Sequence, residues 1–150
     1  MSRKKAREIA LHLIFEMGFR EFQADELLAD RLDEDIMQSI GRDVTLYAGN
    51  LSENQTAYIV SVVKGVASHR DELDALIEAN AHGWSLSRLS KMTVAVLRLA
   101  LYEMRYVEDV PVGAAINEAV ELVKCYESDE AGAFVNGILG SVSRAYEAGK

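Results

Sequence analysis

Apolar positions recur every three to four residues along most of the chain, and strand-like alternation is scarce. The first helix is predicted from about Arg3 to Phe22, with Ala6, Ile9, Ala10, Leu13 and Met17 forming one core stripe. Leu27, Leu28, Leu32, Ile36 and Ile40 mark a second helical pattern over residues 25–42, and Asp43 to Ser52 reads as a loop or short turn. One long helix is predicted from Glu53, carrying Tyr58, Ile59, Val62, Val63, Val66, Leu73, Leu76 and Ile77, with Gly65 as a place for close packing or a bend. His82-Gly83 breaks it, and Trp84 opens a short helical stretch to Ser90 as a structural anchor.

The densest pattern lies between Val94 and Leu139. Val94, Val96, Leu97, Leu99, Ala100, Leu101 and Met104 are more than one face can hold, so Val94 to Tyr106 is predicted to be a buried central helix. Asp109-Val110-Pro111 ends the connection, and proline suits the edge of the next helix. That helix carries Ile116, Ala119, Val120 and Val123 inward, with Glu118 and Glu121 outward. Ser128-Asp129 can cap a last helix whose inner positions are Phe134, Val135, Ile138, Leu139 and Val142. The fold class is all-α.

A chain of 150 residues, 49% hydrophobic and 27% charged, is an ordinary globular sequence with room for one domain or two small bundles sharing an interface. No run approaches the roughly 20 apolar residues that span a bilayer, and the charged start leads into an amphipathic helix rather than a secretory leader. The lone Cys125 has no internal disulfide partner and reads as structural, so a cytoplasmic location is expected. The net charge of −8 argues against a polyanionic partner until its distribution is considered. Residues 1–20 hold five basic and two acidic side chains, net +3, whereas the other 130 hold 11 basic and 22 acidic ones, net −11. A basic tip on an acidic body binds phosphate locally while the body repels bulk polyanion.

Few residues suggest chemistry. Lys4, Arg7, Leu11 and Phe15 stand at i, i+3, i+7 and i+11, a basic and aromatic stripe of the kind that holds unpaired RNA; the alternative is a core ring beside solvated cations. Phe134 lies about one turn inside the last helix, where amides attract phosphate and a ring stacks a base, against the alternative of core packing. Arg98, inside an apolar helix, requires an acidic or carbonyl partner, for which Glu103, Glu118 and Glu121 are the candidates. Asn117 and Asn136 read as polar clasps holding the Pro111 loop against the last helix. Asp33-Glu34-Asp35 lacks a calcium-loop pattern, and His69 has no nucleophile or phosphate loop, so both read as solvated helix faces. Gly137-Ile138-Leu139-Gly140 imitates a KH-type RNA clamp but lacks adjacent cations, and reads as close helix packing. No catalytic residue, metal site or cofactor is expected.

Several motifs in order carry a family resemblance: Val96-Leu97-Arg98-Leu99-Ala100-Leu101-Tyr102-Glu103, Asp109-Val110-Pro111, Ile116-Asn117-Glu118-Ala119-Val120-Glu121-Leu122 and Phe134-Val135-Asn136-Gly137-Ile138-Leu139. With Trp84-Ser85-Leu86-Ser87-Arg88-Leu89 and Arg3-Lys4-Lys5-Ala6-Arg7-Glu8, the chain resembles the NusB family of bacterial transcription antitermination factors over nearly its whole length, faintly between about Asp25 and Ala75. The resemblance implies about seven helices in two small bundles packed roughly perpendicular within one domain, with halves at about 1–80 and 81–150. It implies binding of boxA single-stranded RNA from ribosomal leader transcripts, together with NusE, a small-subunit ribosomal protein, within the RNA polymerase antitermination complex. Arg3, Lys4, Lys5, Arg7, Phe15, Glu130 and Phe134 are then the expected RNA-binding residues. Leu86, Arg88, Leu89 and Tyr102 are the expected protein-partner face. A basic start of only four cations before Glu8, two of them lysines, implies modest RNA affinity without the partner. The rivals are a protein-only helical adaptor or homodimer with an incidental basic tip, and an RNA methyltransferase, for which no nucleotide fold or catalytic cysteine setting exists here.

Overall fold

The computed structural model describes residues 3–17, 24–33, 51–81 and 88–148, which form seven helices and no strand among them. Their ranges are α1 Arg3–Met17, α2 Ala24–Arg31, α3 Glu53–Ser68, α4 Arg70–Asn80, α5 Lys91–Tyr106, α6 Val112–Tyr126 and α7 Asp129–Ala148. The helical pattern beyond Asp33, Arg20, Trp84 and Leu86 lie outside the described residues. The chain divides into two compact units, Met1–Ala67 and Ser68–Lys150. That division falls earlier than the boundary near residue 80 expected from the sequence.

In the first unit, α1 buries Ala6, Ile9, Ala10 and Leu13 of the expected stripe, leaves Met17 half-buried, and buries Arg7, Leu11 and Ile14 besides. It is tied to α2 by Arg31, whose Nη1 donates to both Glu16 carboxylate oxygens at 2.7 and 2.9 Å. A reciprocal capping box starts α3: Ser52 Oγ accepts the Gln55 amide at 3.1 Å, and Gln55 Oε1 accepts the Ser52 amide at 2.9 Å. Two orphan amides are thereby satisfied, and α3 then buries Tyr58, Ile59, Val62, Val63 and Val66.

The single long helix expected from Glu53 is interrupted at His69, which leaves helical geometry (φ −110°, ψ 17°) while its carbonyl accepts the Leu73 amide at 2.9 Å. Gly65, expected to allow close packing or a bend, is buried inside unbroken α3 and makes no bend there. His69 is not on an open face either. Its ring lies 4.4 Å from that of Tyr106 and 5.9 Å from that of Tyr102, so aromatic packing holds the break.

In the second unit α5 is the central helix, burying Thr93 to Leu97, Leu99 to Leu101 and Glu103, and contacting α4, α6 and α7. Pro111 precedes α6 with φ −61°, and Ser128 Oγ accepts the Ala131 amide at 3.0 Å to start α7, both as the sequence predicts. The buried face of α6 is Ala115, Ala119, Leu122 and Val123, with Ile116 and Val120 at its margin. Asn80 joins α4 to α7, accepting the Ser141 hydroxyl at 2.7 Å while its amide donates to the Leu76 carbonyl.

Two expectations in this unit are corrected. Arg98 does form an ion pair, but with Asp74: Nε to Oδ1 at 2.7 Å and Nη2 to Oδ2 at 3.0 Å. Asp74 sits 24 residues earlier on α4 and meets Arg98 only because α4 packs on α5. Asn117 and Asn136 are exposed on the outer faces of α6 and α7, so neither clasps the Pro111 loop.

Candidate nucleic-acid interface

The basic tip is the first turn of α1, which carries three cations and no acidic residue. Lys4 is exposed, and Arg3 and Lys5 are half-buried. The Arg3 guanidinium carbon stands 4.9 Å from the ring centre of Tyr58, whose side chain is buried on α3. The stripe predicted as an open face is largely closed. Arg7 is 6% exposed, Leu11 is fully buried and Phe15 is half-buried. The physical reason is that α1 buries more than a single stripe, and a repeat at i, i+3, i+7 fits core and surface equally well. The exposed cation at this end is therefore Lys4, with part of Arg3 and of Lys5.

His12 faces inward on the same helix. Burial pushes its imidazole below the usual histidine value of 6.5, against the upward pull of Glu8 and Glu16. The unfolded chain therefore takes up this proton more readily than the folded one, so the stability tied to neutral His12 is present above about pH 6.5 and drains away as pH falls from there towards the lowered folded value. Urea midpoints at pH 8 and pH 6 should fall on acidification in the wild type and fall less in His12→Gln; equal drops would contradict this account.

In the second unit, Phe134 is half-buried and borders a pocket of about 260 Å³ whose other walls include Arg88, Leu89, Ser90, Glu127 and Glu130. The pocket is positioned by two helix starts. Ser90 caps α5 by accepting the Thr93 amide at 3.0 Å, and its hydroxyl donates to Glu127 Oε1 at 2.8 Å. Ser128 caps α7 and sets Glu130 and Phe134 on its first turns. Asp129 and Glu130 already place carboxylates at the positive end of α7, so a phosphate there would meet like charge. Chemically the pocket suits a base: a ring for stacking, a carboxylate to accept from an exocyclic amino group, and an arginine to donate.

The structure thus gathers Glu130 and Phe134, expected at RNA, with Arg88 and Leu89, expected at a protein partner, around one pocket. Tyr102 is elsewhere on α5, about 18 Å along the helix from Ser90 at 1.5 Å per residue. There it stacks at 5.1 Å on Tyr106, whose hydroxyl donates to Glu72 at 2.7 Å. That bond to a carboxylate raises the Tyr106 phenol above its ordinary value. Arg105 continues the band, reaching Glu72 at 3.7 Å and lying 5.3 Å from the centre of the Tyr146 ring. Sequence reasoning missed this aromatic band and the Arg3–Tyr58 contact, because both join helices far apart in the chain.

No group of three or more His, Cys, Asp or Glu side chains able to hold a metal occurs among the described residues, and none of their helices is long and apolar enough to cross a membrane.

Comparison with known proteins agrees with the motifs. The NusB family model matches residues 4–144. The transcription antitermination protein NusB of Acetivibrio thermocellus is 45% identical over 142 residues, 95% of this chain and 88% of that protein. Its counterpart from Ruminiclostridium cellulolyticum is 37% identical over 144 residues, 96% of this chain and 90% of that protein. Among solved structures, the fold resembles a crystal structure of the antitermination factors NusB and NusE in complex with double-stranded RNA. The TM-score is 0.76 and the identity 26%, covering 96% of this chain and 97% of that one.

Proposed function

This chain belongs to the NusB family, and from that premise we propose that it is a transcription antitermination factor that binds boxA RNA of ribosomal leader transcripts jointly with NusE. The bound pair helps RNA polymerase read through terminators. It works in the cytoplasm by recruitment, with no catalytic step of its own. The observation that carries the reading is its match over nearly the whole chain to named antitermination factors, one of which has been crystallised with NusE and RNA.

The described residues support a division of labour. On the first unit, Lys4 and Lys5 meet phosphate, with Phe15 and Arg3 beside them; Arg7, being buried, contributes little by direct contact. On the second unit, a base rests against Phe134 with Glu130 accepting from its amino group. Arg88 and Leu89, on the same pocket, adjoin the protein partner, and Tyr102 marks a further part of that face.

A mobility-shift titration of a labelled boxA oligomer, with and without purified NusE, tests this. A boxA-dependent complex strengthened by NusE is expected. Its affinity should fall with salt along a log–log slope of about 0.7 per phosphate contacted. Absence of any such complex at low salt would leave a protein-only adaptor or a homodimer as the better account.

A further inference from the structure

A base cannot reach Phe134 without bringing its phosphate, and the surroundings are unfavourable for one. Glu127 and Glu130 line the pocket, and Asp129 stands beside them in the first turn of α7. The Ser90 hydroxyl holds Glu127 at 2.8 Å, so that carboxylate is a fixed wall of the pocket. Carboxylates this close together repel a polyanion, and with a screening length of about 8 Å the charges that count are the local ones. Among the described residues that line the pocket, Arg88 is the single cation. It is exposed, and among the described residues it forms no ion pair, not even with the two pocket carboxylates. Its N–H groups are therefore left for an incoming group.

We propose that Arg88 is an RNA contact, taking the phosphate of the nucleotide whose base rests against Phe134. The planar fork of a guanidinium matches two phosphate oxygens, and its charge offsets part of the repulsion from Glu127, Asp129 and Glu130. One nucleotide is then held at two points, its base by the ring and its phosphate by the cation. Arg88 thus faces the RNA rather than the protein partner that the family motif implied for it, whereas Leu89 keeps the partner-facing role. The inference rests on the proposed boxA-binding function and adds to it a phosphate contact on the second unit.

The experiment compares wild type with Arg88→Gln, Arg88→Lys, Phe134→Ala and the Arg88→Gln/Phe134→Ala double variant. Binding of the boxA oligomer in the presence of NusE is measured across a salt series, and NusE binding is measured separately without RNA. Arg88→Gln should weaken the RNA complex about three- to tenfold at low salt and lower the log–log salt slope by about 0.7, the share of one phosphate. Arg88→Lys keeps the charge and should keep the slope. Phe134→Ala removes no charge, so its slope should match wild type. Because both side chains hold one nucleotide, the double variant should lose less than the product of the two single losses. A walk of single methylphosphonate linkages along the oligomer locates the phosphate. At one linkage, neutralisation should weaken wild type to the level of Arg88→Gln and leave that variant unaffected. Affinity of Arg88→Gln for NusE alone should equal that of wild type. An unchanged salt slope in Arg88→Gln, or a walk in which no linkage masks the substitution, would overturn the proposal. So would weaker NusE binding by Arg88→Gln without RNA, which would return the residue to the partner face. If wild type itself forms no boxA complex, the proposed function fails and this contact with it; a normal wild-type complex indifferent to Arg88→Gln removes the contact alone.

Discussion

Asp74→Ala is expected to destabilise the protein by about 2–3 kcal/mol, lowering its melting temperature by roughly 5–10 °C. The Arg98–Asp74 pair is bidentate, and the two side chains are 12% and 20% exposed. Removing the carboxylate strands a guanidinium among the apolar side chains of α5, where water reaches it poorly. A fully buried pair would lose about 3–5 kcal/mol, and the residual exposure places this one below that range. The loss comes mainly from the abandoned charge, not from the attraction itself. Removing both partners, as in Asp74→Leu/Arg98→Met, should therefore recover most of the stability. Thermal and urea unfolding of the single and double variants check this. A melting point within 1 °C of wild type for Asp74→Ala would show the pair to be energetically idle. Affinity for the boxA oligomer per folded molecule should be unchanged, since the pair is a brace between α4 and α5.

Phe134→Ala should have the largest functional effect, weakening the boxA complex by about 1–3 kcal/mol, or roughly 5- to 150-fold. The ring is half-buried and borders the pocket that also holds Glu130. Phe134→Trp retains a stacking surface and should bind within a few-fold of wild type. Fluorescence titration of a labelled oligomer in the presence of NusE distinguishes the outcomes. Equal affinities for wild type and Phe134→Ala, with a lower melting point for the variant, would make Phe134 a packing residue and remove the base-stacking part of the mechanism.

The central and closing helices were the most legible part of the sequence. Val94 to Leu101 carries too many apolar residues for one face, and Pro111 and Ser128 act through local geometry that a short window contains. The break at His69 was not legible, because no glycine or proline marks it and its support comes from Tyr102 and Tyr106 on another helix. Asp74 was missed for the same reason: a partner 24 residues away depends on packing, and nearer glutamates compete for attention. The basic stripe on α1 misled because periodicity says which residues share a face but not whether that face is covered. Leu11, counted on the open side, is wholly interior. The pairing of Arg88 and Leu89 with Phe134 at one pocket likewise exists only once the starts of α5 and α7 are brought together.

The turn between α6 and α7 consists of Glu127 and Ser128 alone, and the Lys124 side chain lies over Gly132 just across it. Helices that are neighbours in sequence and joined so tightly find each other after only a short diffusive search. Such local topologies assemble in about microseconds to milliseconds, far quicker than a ribosome adds the next residue. The hairpin that presents Glu130 and Phe134 can therefore take shape as soon as both of its helices are clear of the ribosome.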